Sequence, residues 1–172
     1  MPDIIIIRGP LGIGKSTISK KLAEDLDAEY FSVDEILAKN ELDVIDFEIG
    51  CIPEHNFLKI NELIYPDILK NLNKKKSVVI DGNFYHKTVL EDLLTKFNKH
   101  KVFVFTLKAK KDVCIKRDAE RKKSYGIIAT TAVHDLVSKF DYGTLILNED
   151  DAVEEKIKLI KSELARLNTK DA

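Results

Sequence analysis

From position 9 to position 17 the chain reads Gly-Pro-Leu-Gly-Ile-Gly-Lys-Ser-Thr. Gly9, Gly14, Lys15 and Ser16 fill every fixed position of the pattern G-x-x-x-x-G-K-[ST]. Glycines open backbone torsions closed to other residues, so successive N–H groups can point into one cavity. A helix that starts there adds the positive end of its dipole. The chemistry such a loop can do is to hold phosphates. Gly9, Gly12, Ile13, Gly14, Lys15, Ser16 and Thr17 are the expected nucleotide-binding residues. Lys15 would reach the outer phosphates of ATP, and Ser16 would offer its hydroxyl to Mg²⁺. A glycine-rich turn that binds nothing has the same residue types. The deciding context is an apolar run before the loop and a helical pattern after it.

That context is present. Ile4–Arg8 reads as a buried strand, and Lys15–Leu26 as a helix with Ile18, Leu22 and Leu26 on one face. Further strands are expected at Ala28–Val33, Ser77–Asp81, Val102–Leu107 and Thr144–Asn148. Helices are expected from Asp34 to about Lys39, from Pro53 with a kink or restart at Pro66, and at Thr88–Phe97, Lys111–Arg121, Thr131–Phe140 and Asp151–Leu167. In the Pro53 helix, Phe57, Ile60, Leu63 and Ile64 should point inward. The strand runs are continuously apolar rather than alternating, which fits a parallel sheet covered on both faces.

Three further stretches carry candidate chemistry. "YFSVDEI" sets Asp34 at the end of the second strand, where α/β sheets place ligands. It could equally cap the helix that follows. "VVIDGNF" ends a strand on Asp81. An Asp-Gly hairpin turn is the alternative there, but no matching antiparallel run follows. Asn83 and His86, just beyond, are candidates to line an acceptor site. "CIKRDAERKKSYG" puts Arg117 and Arg121 four residues apart, hence on one helical face. Paired guanidiniums can clamp a transferring phosphoryl group.

With these stretches the chain resembles the small P-loop kinases: the shikimate-kinase-like and adenylate-kinase-like enzymes, and the group with chloramphenicol phosphotransferase and polynucleotide kinase. The resemblance follows nearly the whole element order. It implies a three-layer α/β P-loop NTPase fold, with a five-stranded parallel sheet flanked by helices in one domain over 1–172. An acceptor-binding region would span about 34–72 and a lid about 111–126. It implies an ATP-dependent kinase in which Asp34 faces the acceptor hydroxyl as general base or anchor. Asp81 would hold Mg²⁺ through water, and Arg117 and Arg121 would close over the phosphates, with Arg117 also binding nucleotide.

Charge narrows the acceptor. The four arginines are Arg8, Arg117, Arg121 and Arg166, so none falls in 34–72. Shikimate and nucleoside monophosphate kinases are expected to grip their anionic acceptors with arginine in that region. From Glu24 to Glu54 there are eleven acids and one base, Lys39, whereas Lys101–Lys123 holds nine bases and three acids. An acid-rich acceptor side repels anions, although many such acids could simply face solvent. The expectation is a small neutral or cationic hydroxyl-bearing acceptor. A polynucleotide end is disfavoured for want of bases to neutralise its phosphates. A nucleotide kinase using lysines such as Lys59, a shikimate-type kinase, and a nucleotide-binding switch are the competing readings. The stretch "LKAKKD" lacks the N-K-x-D that specifies guanine.

Two cysteines, Cys51 and Cys114, and four scattered histidines show no zinc spacing, so packing roles are expected for the cysteines. The apolar run at Ile4–Ile7 is too short for a signal segment or a membrane span. A soluble cytoplasmic protein with no membrane partner is the expectation, and the sequence leaves the oligomeric state open.

Overall fold

The computed structural model describes residues 2–170. Strand β1 (Asp3–Arg8) runs into the glycine loop and helix α1 (Lys15–Asp25), then β2 (Glu29–Ser32) and α2 (Val33–Lys39). After an irregular segment come α3 (Glu54–Asn73), β3 (Val78–Gly82) and α4 (Lys87–Lys96). The chain finishes with β4 (Lys101–Lys108), α5 (Lys111–Ala119), α6 (Ile127–Val137), β5 (Thr144–Leu147) and α7 (Val153–Lys170).

The five strands form one parallel sheet in the order β2-β3-β1-β4-β5. The chain leaves β1 toward one edge and returns past it toward the other, so the loop after β1 sits where α/β sheets bind ligands. Alternate residues of β1 feed two cores. Ile4 and Ile6 pack with α3 and α4, through Phe57, Ile60, Leu90 and Phe97. Ile5 and Ile7 pack with α1 and α7, through Ile18, Leu22, Ile157 and Ile160. Helices on both faces explain why the strands carry unbroken apolar runs.

Five local expectations are corrected. Ser32, not Asp34, caps α2, its hydroxyl accepting from the Glu35 N–H at 3.3 Å. Asp34 lies in the first turn, where a carboxylate suits the helix dipole. Helix α3 runs unbroken through Pro66. Pro66 faces solvent, so water can satisfy the carbonyl its ring leaves without a donor. Leu63 is half-exposed, because the buried stripe advances through Ile60, Ile64, Ile68 and Leu72 in steps of four. Helix α5 stops at Ala119 rather than Arg121, and α6 starts earlier than expected, at Ile127.

Arg8, at the end of β1, is fully buried. Its Nε donates to the Phe84 carbonyl at 3.1 Å and its Nη2 to the Val137 carbonyl at 2.7 Å. The guanidinium carbon lies 3.9 Å from the centre of the Phe140 ring, a cation–π distance. Arg8 thus fastens the end of α6 and the loop after β3 to the central strand, and burial pushes its guanidinium down to about 10. Arg8→Met keeps the apolar body but strips both carbonyls of their donor. At about 1–3 kcal/mol for each buried unsatisfied group, the loss of unfolding free energy should reach at least about 2 kcal/mol in urea titration. An unchanged midpoint would rule out this fastening role.

Candidate active site

The glycine loop is built by close contact as much as by torsion. Gly12 has φ +74°, and a Cβ there would lie 2.2 Å from the Cys114 carbonyl oxygen of α5. Gly14, at φ +95°, is the residue that begins α1. The loop is closed from above by Asn148, whose Nδ2 donates to the Ile13 carbonyl at 2.7 Å. Cys114 packs beneath it with no exposed surface, and burial pushes its thiol up to about 11. This supports the packing role read for it.

Lys15 is buried, and its Nζ donates to the Pro10 carbonyl and to Asn83 Oδ1, both at 2.9 Å. Burial lowers its pKa, and the carboxylates of Asp34 and Asp81 oppose that shift. The other end of Asn83 donates to Asp34 Oδ1 at a long 3.4 Å. One amide therefore links the loop lysine to the carboxylate in the first turn of α2, two residues past the end of β2. Its position is imposed: Phe84 is buried at φ +45°, a conformation bulky residues rarely adopt. A Cβ on Gly82 would meet the Phe84 ring at 2.9 Å and Val33 at 3.0 Å. Burial raises the Asp34 pKa, and Lys15 pulls it back.

Asp81 is fully buried at the end of β3. Tyr30 donates its hydroxyl to Asp81 Oδ2 at 2.7 Å, while Oδ1 has no partner. Burial and this bond raise the Tyr30 pKa. Asp81 does not itself line the cleft, but Tyr30, which bonds its Oδ2, also lies beside Ser16 of the loop, and a carboxylate oxygen without a partner there suits a contact to a hydrated divalent cation through water. No group of three or more His, Cys, Asp or Glu among the described residues forms a metal cage. Mg²⁺ bound mainly by phosphate and water would need none.

The two lid arginines diverge. Arg117 is satisfied by the turn before α7: Nη1 donates to the Asn148 carbonyl at 2.7 Å and Nη2 to the Asp150 carbonyl at 2.8 Å. Arg121 lies beyond the end of α5, about half-exposed, 3.8 Å from Asp118 and over the Tyr125 ring. They do not share a helical face, but both border one cleft.

That cleft, of about 450 Å³, is lined by the loop from Leu11 to Ile18 together with Asp34, Arg117, Arg121 and Asn148. A second cavity of about 180 Å³ adjoins it, sharing Leu11, Asp34 and Tyr125. Its walls come from α2, the segment 43–52, Asn83, Tyr85 and the inner face of α6. His86 is not among them. Its Nε2 lies 2.9 Å from the Ile52 carbonyl, and its ring packs on Phe57 and Tyr85. Lys39 and Lys59 are exposed and outside both cavities.

Sequence reasoning missed the linking role of Asn83, the α6 wall, Tyr125 and Asp118. Asp118 is buried and accepts from Ser124 Oγ at 2.7 Å and from the N–H groups of Tyr125 and Gly126, each at 3.0 Å. Burial alone would raise its pKa, but these bonds prevail and hold it below the usual range. An acid inside a basic helix, six residues before a Ser-Tyr-Gly turn, was the available signal. Asp118→Asn points an amide at these donors, and should open the turn by about 1–3 kcal/mol. Hydrogen exchange at Tyr125 and Gly126 should speed up about tenfold or more, and unchanged rates would count against it.

Comparison with known proteins places this geometry. Residues 4–142 match the family model described as AAA domain. The chain is 27% identical over 106 residues to tRNA dimethylallyltransferase of Helicobacter pylori (strain J99), covering 52% of this chain and 34% of that protein. It is 32% identical over 76 residues to shikimate kinase of Actinobacillus succinogenes, covering 44% and 41%. The chain thus spans well under half the length of these curated relatives. Among solved structures, a sugar kinase from Janibacter sp. HTCC2649 superposes with a TM-score of 0.74 at 13% identity, covering 96% of this chain and 95% of that one. A gluconokinase from Sinorhizobium meliloti 1021 superposes at 0.70 with 14% identity, covering 96% and 93%. These structures share the fold, so the resemblance to the small P-loop kinases holds at that level. The family match extends over most of the chain: it belongs to the AAA domain family and has the kinase-type P-loop fold.

Proposed function

We propose that the protein is an ATP-dependent phosphotransferase that moves the γ-phosphoryl group to a hydroxyl of a small neutral or cationic acceptor. One observation carries the reading. Asp34 lies on the wall common to the two cavities, tied through Asn83 to Lys15 of the glycine loop. The larger cavity carries the glycine loop with Lys15, and no Lys or Arg among the described residues lines the smaller. One curated relative is a shikimate kinase, and solved structures with this fold include a sugar kinase and a gluconokinase, which is compatible with the same activity.

The residues then have distinct tasks. The N–H groups of 12–17 and the Lys15 ammonium hold the phosphates. To reach them, Lys15 exchanges its bonds to Pro10 and Asn83 for phosphate oxygens. Ser16 would hold Mg²⁺ directly and Asp81 through water, and the metal would supply charge neutralisation on the phosphates. Asp34 orients the acceptor hydroxyl and takes its proton as the oxygen–phosphorus bond forms and the bond to ADP breaks. A carboxylate with a raised pKa is a better proton acceptor than an ordinary aspartate. Arg121, half-free at the rim, can swing onto the phosphates. Arg117 supports the turn that carries Asn148 and stays beside the nucleotide. Closure of 111–126 over the cleft would exclude water, so hydrolysis without acceptor should be slow.

ADP release measured across neutral, cationic and anionic alcohols should rise only with the first two. Asp34→Asn should lower the stimulated rate about 10²–10⁴-fold, the usual worth of a positioned base. A variant within threefold of wild type would remove Asp34 from the mechanism.

The pH profile has a definite sign. Asp34 must be ionised to accept a proton and its pKa is raised by burial, so the acid limb should lie above the usual aspartate range. Lys15 must be protonated and burial lowers its pKa, so an alkaline limb should fall below the usual lysine range. Because these groups titrate in the free protein, the limbs belong to kcat/KM, and a flat profile of kcat/KM through both regions would contradict these roles.

A further inference from the structure

We infer that the acceptor is an apolar alcohol rather than a polyol, a reading that rests on the phosphotransferase proposal. The smaller cavity is walled by Leu37, Ile52, Ala132, Val133 and Leu136, with Leu11 at its junction with the nucleotide cleft. Two of its polar side chains are already engaged. Asn83 has Lys15 on one end and Asp34 on the other. The Tyr85 hydroxyl accepts from the Ile52 N–H at 3.1 Å. The carboxylates of Asp34 and Asp43 and the Tyr125 hydroxyl remain, and of these Asp34 and Tyr125 stand on the side shared with the nucleotide cleft. A ligand here finds a hydroxyl partner at that end, in Asp34, and leucine, isoleucine, valine and alanine over most of the remaining wall.

A sugar or other polyol would bury several hydroxyls against leucine, isoleucine and alanine. Each would give up water without a partner in exchange. An anion would meet two carboxylates and no lysine or arginine. The volume of about 180 Å³ is below the roughly 300–1,000 Å³ of drug-sized sites, so the body is small: a single ring or a short branched chain. Ile45, from the irregular segment, and Ala129, from the first turn of α6, extend the apolar lining on two further sides. This distinguishes the chain from the sugar kinase and gluconokinase whose fold it shares.

The test uses the full chain and two probe pairs matched in ring size, benzyl alcohol and cyclohexylmethanol against glucose and myo-inositol. Amide shifts of Ala132 and Val133 report binding, and ADP release with Mg·ATP reports transfer. The expected result is that the apolar alcohols bind at least tenfold more tightly than the polyols and alone stimulate ADP release. Ala132→Leu, which fills the cavity from a helix that favours leucine, should weaken alcohol binding at least tenfold, with its melting temperature checking the fold. Apolar alcohols that bind without stimulating ADP release would keep the ligand class and overturn the phosphotransferase reading. Polyols that bind as tightly and are phosphorylated would overturn this inference and keep that reading. Binding of neither pair, or undiminished binding by folded Ala132→Leu, overturns it as well.

Discussion

A single ammonium group, that of Lys15, sits below the surface of the protein, and its accommodation organises the rest. A charge in that position needs partners. It has two neutral ones, the Pro10 carbonyl and Asn83, and two carboxylates close enough to favour its charged form. Asn83 can serve only because Phe84 accepts a left-handed backbone and Gly82 leaves room for its ring. The Phe84 carbonyl is in turn held by Arg8, and the same guanidinium holds the end of α6. The path from the loop lysine to the α6 wall of the smaller cavity is a continuous series of such contacts. Strain at Phe84 is the kind that persists only where surrounding structure over-determines it.

What could be read from the residues alone follows from how local each cause is. The strands were legible because parallel strands buried on both faces leave continuous apolar runs, and Ile4–Ile7 is such a run. The glycine loop was legible because its torsions and its lysine are contiguous. The carboxylates were legible by position, as Asp81 closes β3 and Asp34 follows the end of the adjacent β2 by two residues, but not by partner. Asn83 joins residues 68 and 49 positions away, and no spacing announces that. The α6 wall was equally hidden, since its alanines and leucines look like any helix core until Arg8 fixes where the helix ends. Asp34 and Ser32 both suit a helix start, and the choice between them depended on a 3.3 Å contact. Arg117 and Arg121 share a face only if the helix continues between them, and it does not.

Charge asymmetry resolves into two populations. Of the acids between 24 and 54, Glu24, Asp25, Glu41 and Glu48 are exposed, as surface charge usually is. Asp34, Glu35 and Asp43 line the cavities. The informative feature is less the abundance of acids than where bases are missing. The basic residues gather on the lid side, where Arg117 is a strut rather than a free hand. Its fork holds the turn carrying Asn148, and Asn148 holds the loop at Ile13. Helix α5 and the glycine loop are therefore mechanically connected through the turn that follows the last strand.

Tyr125 is the partition between the two cavities, contributing its side chain to both. It is 55% exposed, and the turn beneath it hangs on the Asp118 carboxylate. Leu11, Asp34 and Ala38 also face both cavities. Linkage is reciprocal: whatever factor an occupant of one cavity imposed on the affinity of the other, the second would impose on the first. Any two ligands seated there would meet across the same four residues, so neither affinity could be set independently of the other.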